Sequence, residues 1–223
     1  MVMIMGFGLI FYGFLMMIEI PVRTQVGVNV GIDIFPDLAG YLLMLTAANR
    51  LDGYAKGFTL FRKMLYPLLV LGAVSLAIGY LSIAGVALPL LEALTTYVKI
   101  ASLILQAVAF FFLFSGIISL SLEVELDGIA TRARYTTVVG AIYYLFQLLL
   151  TASYELPLGI SDTTLAPFSM ISMLLWLVFI LLGEVVLFNC YRYICYEGEE
   201  TLTPGAIESP IARFLNKLFG KTR

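Results

Sequence analysis

Glu184 is the one charge set deep within a strongly apolar run of this chain, in the stretch Leu182-Gly183-Glu184-Val185. A carboxylate at the centre of a membrane helix costs about 2.5–3.5 kcal/mol on insertion scales, so such a residue marks an ion, proton or substrate path by default. Gly183 opens one side of it, and Ile180 and Phe188 flank it one turn away in each direction. Lipid would penalise the charged form, so Glu184 is expected to face a bundle interior. The bland alternative is a glutamate near the membrane interface, protonated or hydrogen-bonded to a neighbouring helix. The second concentration of chemistry is the run Ile32-Asp33-Ile34-Phe35-Pro36-Asp37-Leu38-Ala39-Gly40-Tyr41-Leu42. It reads as a helix start. Asp33 or Phe35 suits the N-cap, and Pro36 the first turn, where its missing N–H would be unpaired anyway. Asp37 then meets the positive end of the helix dipole. Gly40 lets another helix approach closely, and Tyr41 has a hydroxyl to anchor. The sharper reading of the same run is a half-helix facing a substrate or ion, as in broken transporter helices.

What is missing narrows the chemistry further. The chain has no histidine, which removes histidine triads, histidine metal sites and histidine proton relays. No phosphate-binding glycine loop, zinc-protease helix or nucleophile elbow occurs. No cofactor, metal or catalytic residue is therefore assigned. A net charge of −2 gives no nucleic-acid footprint. Cys190 and Cys195 fall five residues apart on what reads as one helix, so their thiols point about 140° apart. They read as reduced thiols near a cytoplasmic surface, where palmitoylation is the modification open to them.

The run I-D-I-F-P-D-L-A-G-Y-L-L at residues 32–43 resembles the N-terminal hallmark of uncharacterised multi-pass membrane proteins of Gram-positive bacteria, in which I-D-I-L-P-D-F-I-G-Y-I-L follows a first helix. This chain departs at Phe35, Leu38, Ala39 and Leu42, each apolar for apolar. Looser likenesses are the F-S-G-I run at Phe114 to Ile117, Glu125, Ala133-Arg134 and the tyrosine-rich end of the last helix. The resemblance implies a membrane location and a helical fold and supplies no catalytic residue.

These residues need elements to hold them, and composition says which kind. Of the 223 residues 61% are hydrophobic and 13% charged. Soluble domains carry about a quarter charged residues. A helical crossing needs about 20 apolar residues. The expectation is an all-α polytopic transmembrane bundle of about six membrane-associated helices. Apolar runs cover residues 3–20, 38–49, 64–88, 98–122, 136–154 and 168–190, the last extending toward 196. Twelve residues at 38–49 reach only about 18 Å, so the second helix is short or broken. The domain division is a transmembrane helical domain at 1–196 and a cytoplasmic tail at 197–223. In the tail, Ser209-Pro210 reads as a helix start. Ile211, Phe214, Leu215, Leu218 and Phe219 share one face for the inner leaflet.

With both termini inside, the segments at 50–63, 123–135 and the last helix end plus tail hold eleven of the thirteen Lys and Arg; only Arg23 and Lys99 fall outside. The positive-inside rule predicts that asymmetry, and the resemblance to the Gram-positive proteins implies a bacterial plasma membrane location. Loops at 89–97 and 155–167 then face outward. Gln106 and Gln147 read as a hydrogen-bonded pair gluing the fourth and fifth helices. Gly72, Ser75, Ala77 and Gly79 read as a close-packing stripe, and Tyr191, Tyr193 and Tyr196 as an interfacial belt. The leading expectation is a non-enzymatic accessory or regulatory membrane component, in contact with the lipid bilayer and with a membrane-protein partner or a second copy. The rival is a small-solute or ion permease using Asp33, Asp37 and Glu184. An intramembrane enzyme ranks below both. A polar cavity reaching the midplane would favour the permease, and a tightly packed interior with one apolar outer groove the accessory role.

Overall fold

The structure, a computed structural model, describes residues 2–16, 37–83, 89–155 and 162–194. They form six helices: α1 (Val2–Met16), α2 (Asp37–Leu51), α3 (Lys56–Ile83), α4 (Pro89–Glu123), α5 (Asp127–Glu155) and α6 (Asp162–Tyr193). The expected all-α bundle with a short second helix is what the chain builds. Four segments are long and apolar enough to cross a membrane: Lys56–Ile78, Leu94–Glu123, Asp127–Ser153 and Leu165–Tyr193. The protein is thus a membrane protein. Both α1 and α2 have 15 described residues, about 22 Å of helix, less than a hydrocarbon core of about 30 Å.

Each helix packs on its neighbour in sequence, and α1 closes the ring against α6. The pairings run antiparallel all the way round. On α1 and α2, Gly6 meets Leu51 while Gly13 meets Gly40 and Met44. On α5 and α6, Gly140 meets Phe179 while Gln147 meets Ser172. On α6 and α1, Tyr191 meets Gly8 while Gly183 meets Phe14. In every pair one number rises as the other falls. The start of α1, the end of α6 and the turns at 52–55 and 124–126 therefore share one end of the bundle.

The sequence boundaries need correcting at the charged segments. Lys56, Arg62 and Lys63, expected in a linker, are the first turns of α3. The mixed-charge linker shrinks to residues 124–126, with Arg132 and Arg134 inside α5. The loop at 89–97 is helix in the described residues, from Pro89 on. The loop at 155–167 is helix from Asp162, including Pro167. Long basic side chains reach the interface from a helix, so charge alone does not end one. The α4–α5 turn closes as a Schellman motif: Leu126 N–H donates to Ser121 O at 2.8 Å, Glu125 N–H to Leu122 O at 3.3 Å, and Glu125 takes φ 58°. At the α2–α3 turn Gly53 takes φ 96°. Asp52 accepts from Thr59 Oγ1 at 2.7 Å and pairs with Arg62, tying turn to helix.

Where the helices touch, small residues decide the distance. A Cβ on Gly57 would stand 2.4 Å from the Gly116 backbone nitrogen, so α3 and α4 meet backbone to backbone. The ring's centre is aromatic. Phe14 lies 5.1 Å from Phe110 and 5.7 Å from Phe179, and Phe110 lies 5.9 Å from Phe179, all edge to face. Phe114 joins at 6.2 Å from Phe179. Such pairs each add about 0.5–1.5 kcal/mol beyond area burial.

Candidate functional site

Glu184 lies nine residues before the end of α6 at Tyr193, about 14 Å along the helix. Seven residues return a helix to nearly the same face. Glu184 therefore shares with Tyr191 the side of α6 that runs along α1, where a Cβ on Gly8 would meet the Tyr191 ring at 3.6 Å. Gly183, one residue earlier, faces the centre, where its Cβ would clash with Phe14 at 2.9 Å. Both carboxylate oxygens of Glu184 are buried, as expected, yet neither has a hydrogen-bond partner among the described residues. Of the two forms of the bland alternative, protonated or hydrogen-bonded to a neighbouring helix, the hydrogen bond is not formed among the described residues.

Three more polar atoms share this condition in the same half of the bundle, one of them Nε of Arg62, whose guanidinium is otherwise paired with Asp52. Ser121 Oγ and Asn189 Nδ2 are buried without a hydrogen-bond partner among the described residues. Asn189 is five residues from Glu184, so it points about 140° away around α6 and does not join it in one site. Sequence reading passed over Asn189. Its signal was present, a lone amide within an apolar helix end. Cys190 is free and fully buried, which removes it from any lipidation surface; Cys195 lies outside the described residues.

The Pro36-Asp37 run delivers two of its expected contacts. Asp33 and Pro36 lie outside the described residues, and α2 is described from Asp37. A Cβ on Gly13 would stand 2.8 Å from Gly40 O, so Gly40 does bring a second helix in close. Tyr41 is buried and accepts a hydrogen bond from Gln106 Nε2 at 2.6 Å. That contact overturns the expected Gln106–Gln147 pair. Gln147 instead accepts from Ser172 Oγ of α6. Both glutamines do glue helices, but the rotation of α4 turns Gln106 toward α2 and that of α5 turns Gln147 toward α6. Of the expected stripe on α3, Gly72 packs against the Tyr41 ring at 3.6 Å, whereas Ser75 and Ala77 are exposed. Gly79 has no described side-chain environment. Tyr191 is exposed, the Arg192 guanidinium sits 5.1 Å over the Tyr193 ring, and Tyr196 lies outside the described residues.

A concavity lies elsewhere. A groove of about 380 Å³ runs along α4 and α5, floored by Phe110, Phe114 and Phe179. Its rims, Ile104, Val108, Phe111 and Leu145, are exposed, so it opens on the outer face rather than through the ring. Among the described residues no group of three or more Cys, Asp or Glu side chains is placed to hold a metal. No protein-family model matches the chain, and neither a curated protein nor a solved structure does.

Proposed function

We propose that the chain is an accessory or regulatory membrane component that acts without catalysis, by packing beside other components of a bacterial plasma membrane. One observation carries this reading: the centre of the ring is filled by Phe14, Phe110, Phe114 and Phe179 in edge-to-face contact, and the concavity lies outside it. A solute path needs polar groups along the axis, and aromatic packing occupies that space. The multi-pass arrangement with both termini cytoplasmic, the tail at 197–223 on the inner leaflet, and kinship with the Gram-positive group that shares the I-D-I-[LF]-P-D-x-x-G-Y motif belong to the same proposal. A membrane-protein partner or a second copy is the expected neighbour.

The permease reading keeps one specific observation, the Glu184 carboxylate buried at the α1–α6 seam without a hydrogen-bond partner among the described residues. Two measurements separate the readings. Affinity purification of the full chain in mild detergent should recover a membrane protein in fixed stoichiometry. The chain alone, reconstituted in vesicles, should move neither protons nor small ions. Flux by the purified chain that disappears in a well-folded Glu184→Gln variant would overturn the accessory reading and establish the permease.

A further inference from the structure

The α4–α5 groove has a size and a charged end that specify an occupant. Leu103 and Phe114 bound it on α4, eleven residues and so about 16 Å apart. Spread over that length, the groove's 380 Å³, open to the centres of water-sized spheres, makes a track about 5 Å wide and so about 8 Å between its walls. A helix needs about 10–12 Å. A polymethylene chain, whose carbons contact their neighbours at about 4 Å, fits the track. On α5, Thr137 and Ala141 line the groove, and Arg134 precedes them by three and seven residues on the same helix face. Arg134 is exposed and makes no ion pair or hydrogen bond among the described residues. It stands at the end of the groove nearer the α4–α5 turn, the end of the bundle that also carries Arg50, Lys56, Arg62, Lys63, Arg132 and Arg192. Asp127 lies seven residues beyond Arg134, about 10 Å closer to the tip, with Glu123 and Glu125 exposed there as well. The guanidinium is thus the cation between an apolar slot and an acidic tip.

We propose that this groove is a lipid site that takes one acyl chain of an anionic phospholipid, with the phosphate held by Arg134. An arginine fork matches phosphate oxygens in pairs, and the inner leaflet supplies anionic headgroups at that level. The site rests on the proposed orientation, with the α4–α5 turn on the inner side of the membrane, and not on the accessory role.

The test is native mass spectrometry of the full chain in mild detergent, with phosphatidylglycerol or phosphatidylcholine added. The wild type should retain one phosphatidylglycerol per chain, preferred over phosphatidylcholine by about tenfold, as one charge-assisted contact supports. Ala141→Trp and Val108→Trp, on opposite walls and both at exposed positions, should each abolish retention of both lipids while eluting as a single species. Arg134→Gln should keep one lipid bound and bring the preference close to one. The proposal is overturned if the wild type retains no lipid, if a folded tryptophan variant retains it undiminished, or if Arg134→Gln leaves the preference intact. Loss of a second copy from the tryptophan variants, with lipid still bound, would make the groove a protein interface and equally overturn it.

Discussion

Tyr41 and Glu184 both carry oxygen atoms into the apolar interior, with opposite results. The Tyr41 hydroxyl receives the Gln106 amide at 2.6 Å, linking α2 to α4 across the ring. Interhelical hydrogen bonds in membranes average about 0.6 kcal/mol and reach about 1.7 kcal/mol. Tyr41→Phe should cost within that range, and a double-mutant cycle with Gln106→Leu, followed by unfolding in mixed micelles, should return it as coupling; a coupling of zero would show that the bond contributes nothing. Glu184 has buried oxygens and no such bond among the described residues. Replacing an unpaired polar group by an apolar one of similar size removes a penalty of about 1–3 kcal/mol. Glu184→Leu should therefore leave the bundle as stable or more stable in the same unfolding measurement. A clear loss of stability would reveal a partner for the carboxylate, and with it a built site.

Helix contacts in this bundle are set by positions that lack a side chain. Gly57 and Gly116 bring α3 and α4 together backbone to backbone, with a hypothetical Cβ on Gly57 at 2.4 Å from one atom of Gly116 and 2.7 Å from Phe112 O. Neither is the end of a flexible side chain, so the helices must part. Gly57→Ala should destabilise by about 1–3 kcal/mol, the range for overpacking a filled core, visible as a lower melting midpoint in detergent; an unchanged midpoint would mean that α3 and α4 do not meet there. The elements themselves were largely legible, because long apolar runs have few fates besides a membrane helix. Their ends were not. Lys56, Arg62, Arg132 and Arg134 looked like loop residues, yet helices continue through them and their long side chains reach water from there. Partner choice was also illegible. Gln106 and Gln147 each offer an amide to any helix that faces them, and the rotation that aims one at Tyr41 and the other at Ser172 is a property of the packed ring. The groove is of the same kind, since it depends on how α4 and α5 lie against each other. Gly40, Tyr41 and Gly183 were readable because a small residue or a lone hydroxyl in an apolar helix needs a neighbour wherever the helix turns.

Antiparallel packing around a closed ring of six helices has a consequence for the whole molecule. An even number of passes returns the end of α6 to the end where α1 begins, and the turns at 52–55 and 124–126 lie there too. That end collects Arg50, Lys56, Arg62, Lys63, Arg132, Arg134 and Arg192, while Lys99 belongs to the other half of α4. Packing and charge are independent signals, one fixing which segments share a side and the other which side faces the cytoplasm. Cysteine substitution tests them together in a background with Cys190 and Cys195 replaced by serine. Gly53 lies in the α2–α3 turn and Tyr97 near the opposite end, both exposed. Tyr97→Cys should react with a membrane-impermeant maleimide in intact cells, and Gly53→Cys only after the cells are broken open. The reverse pattern would invert the molecule and leave the ring intact. Labelling of both from outside would be more damaging, because it would break the alternation that the antiparallel contacts require.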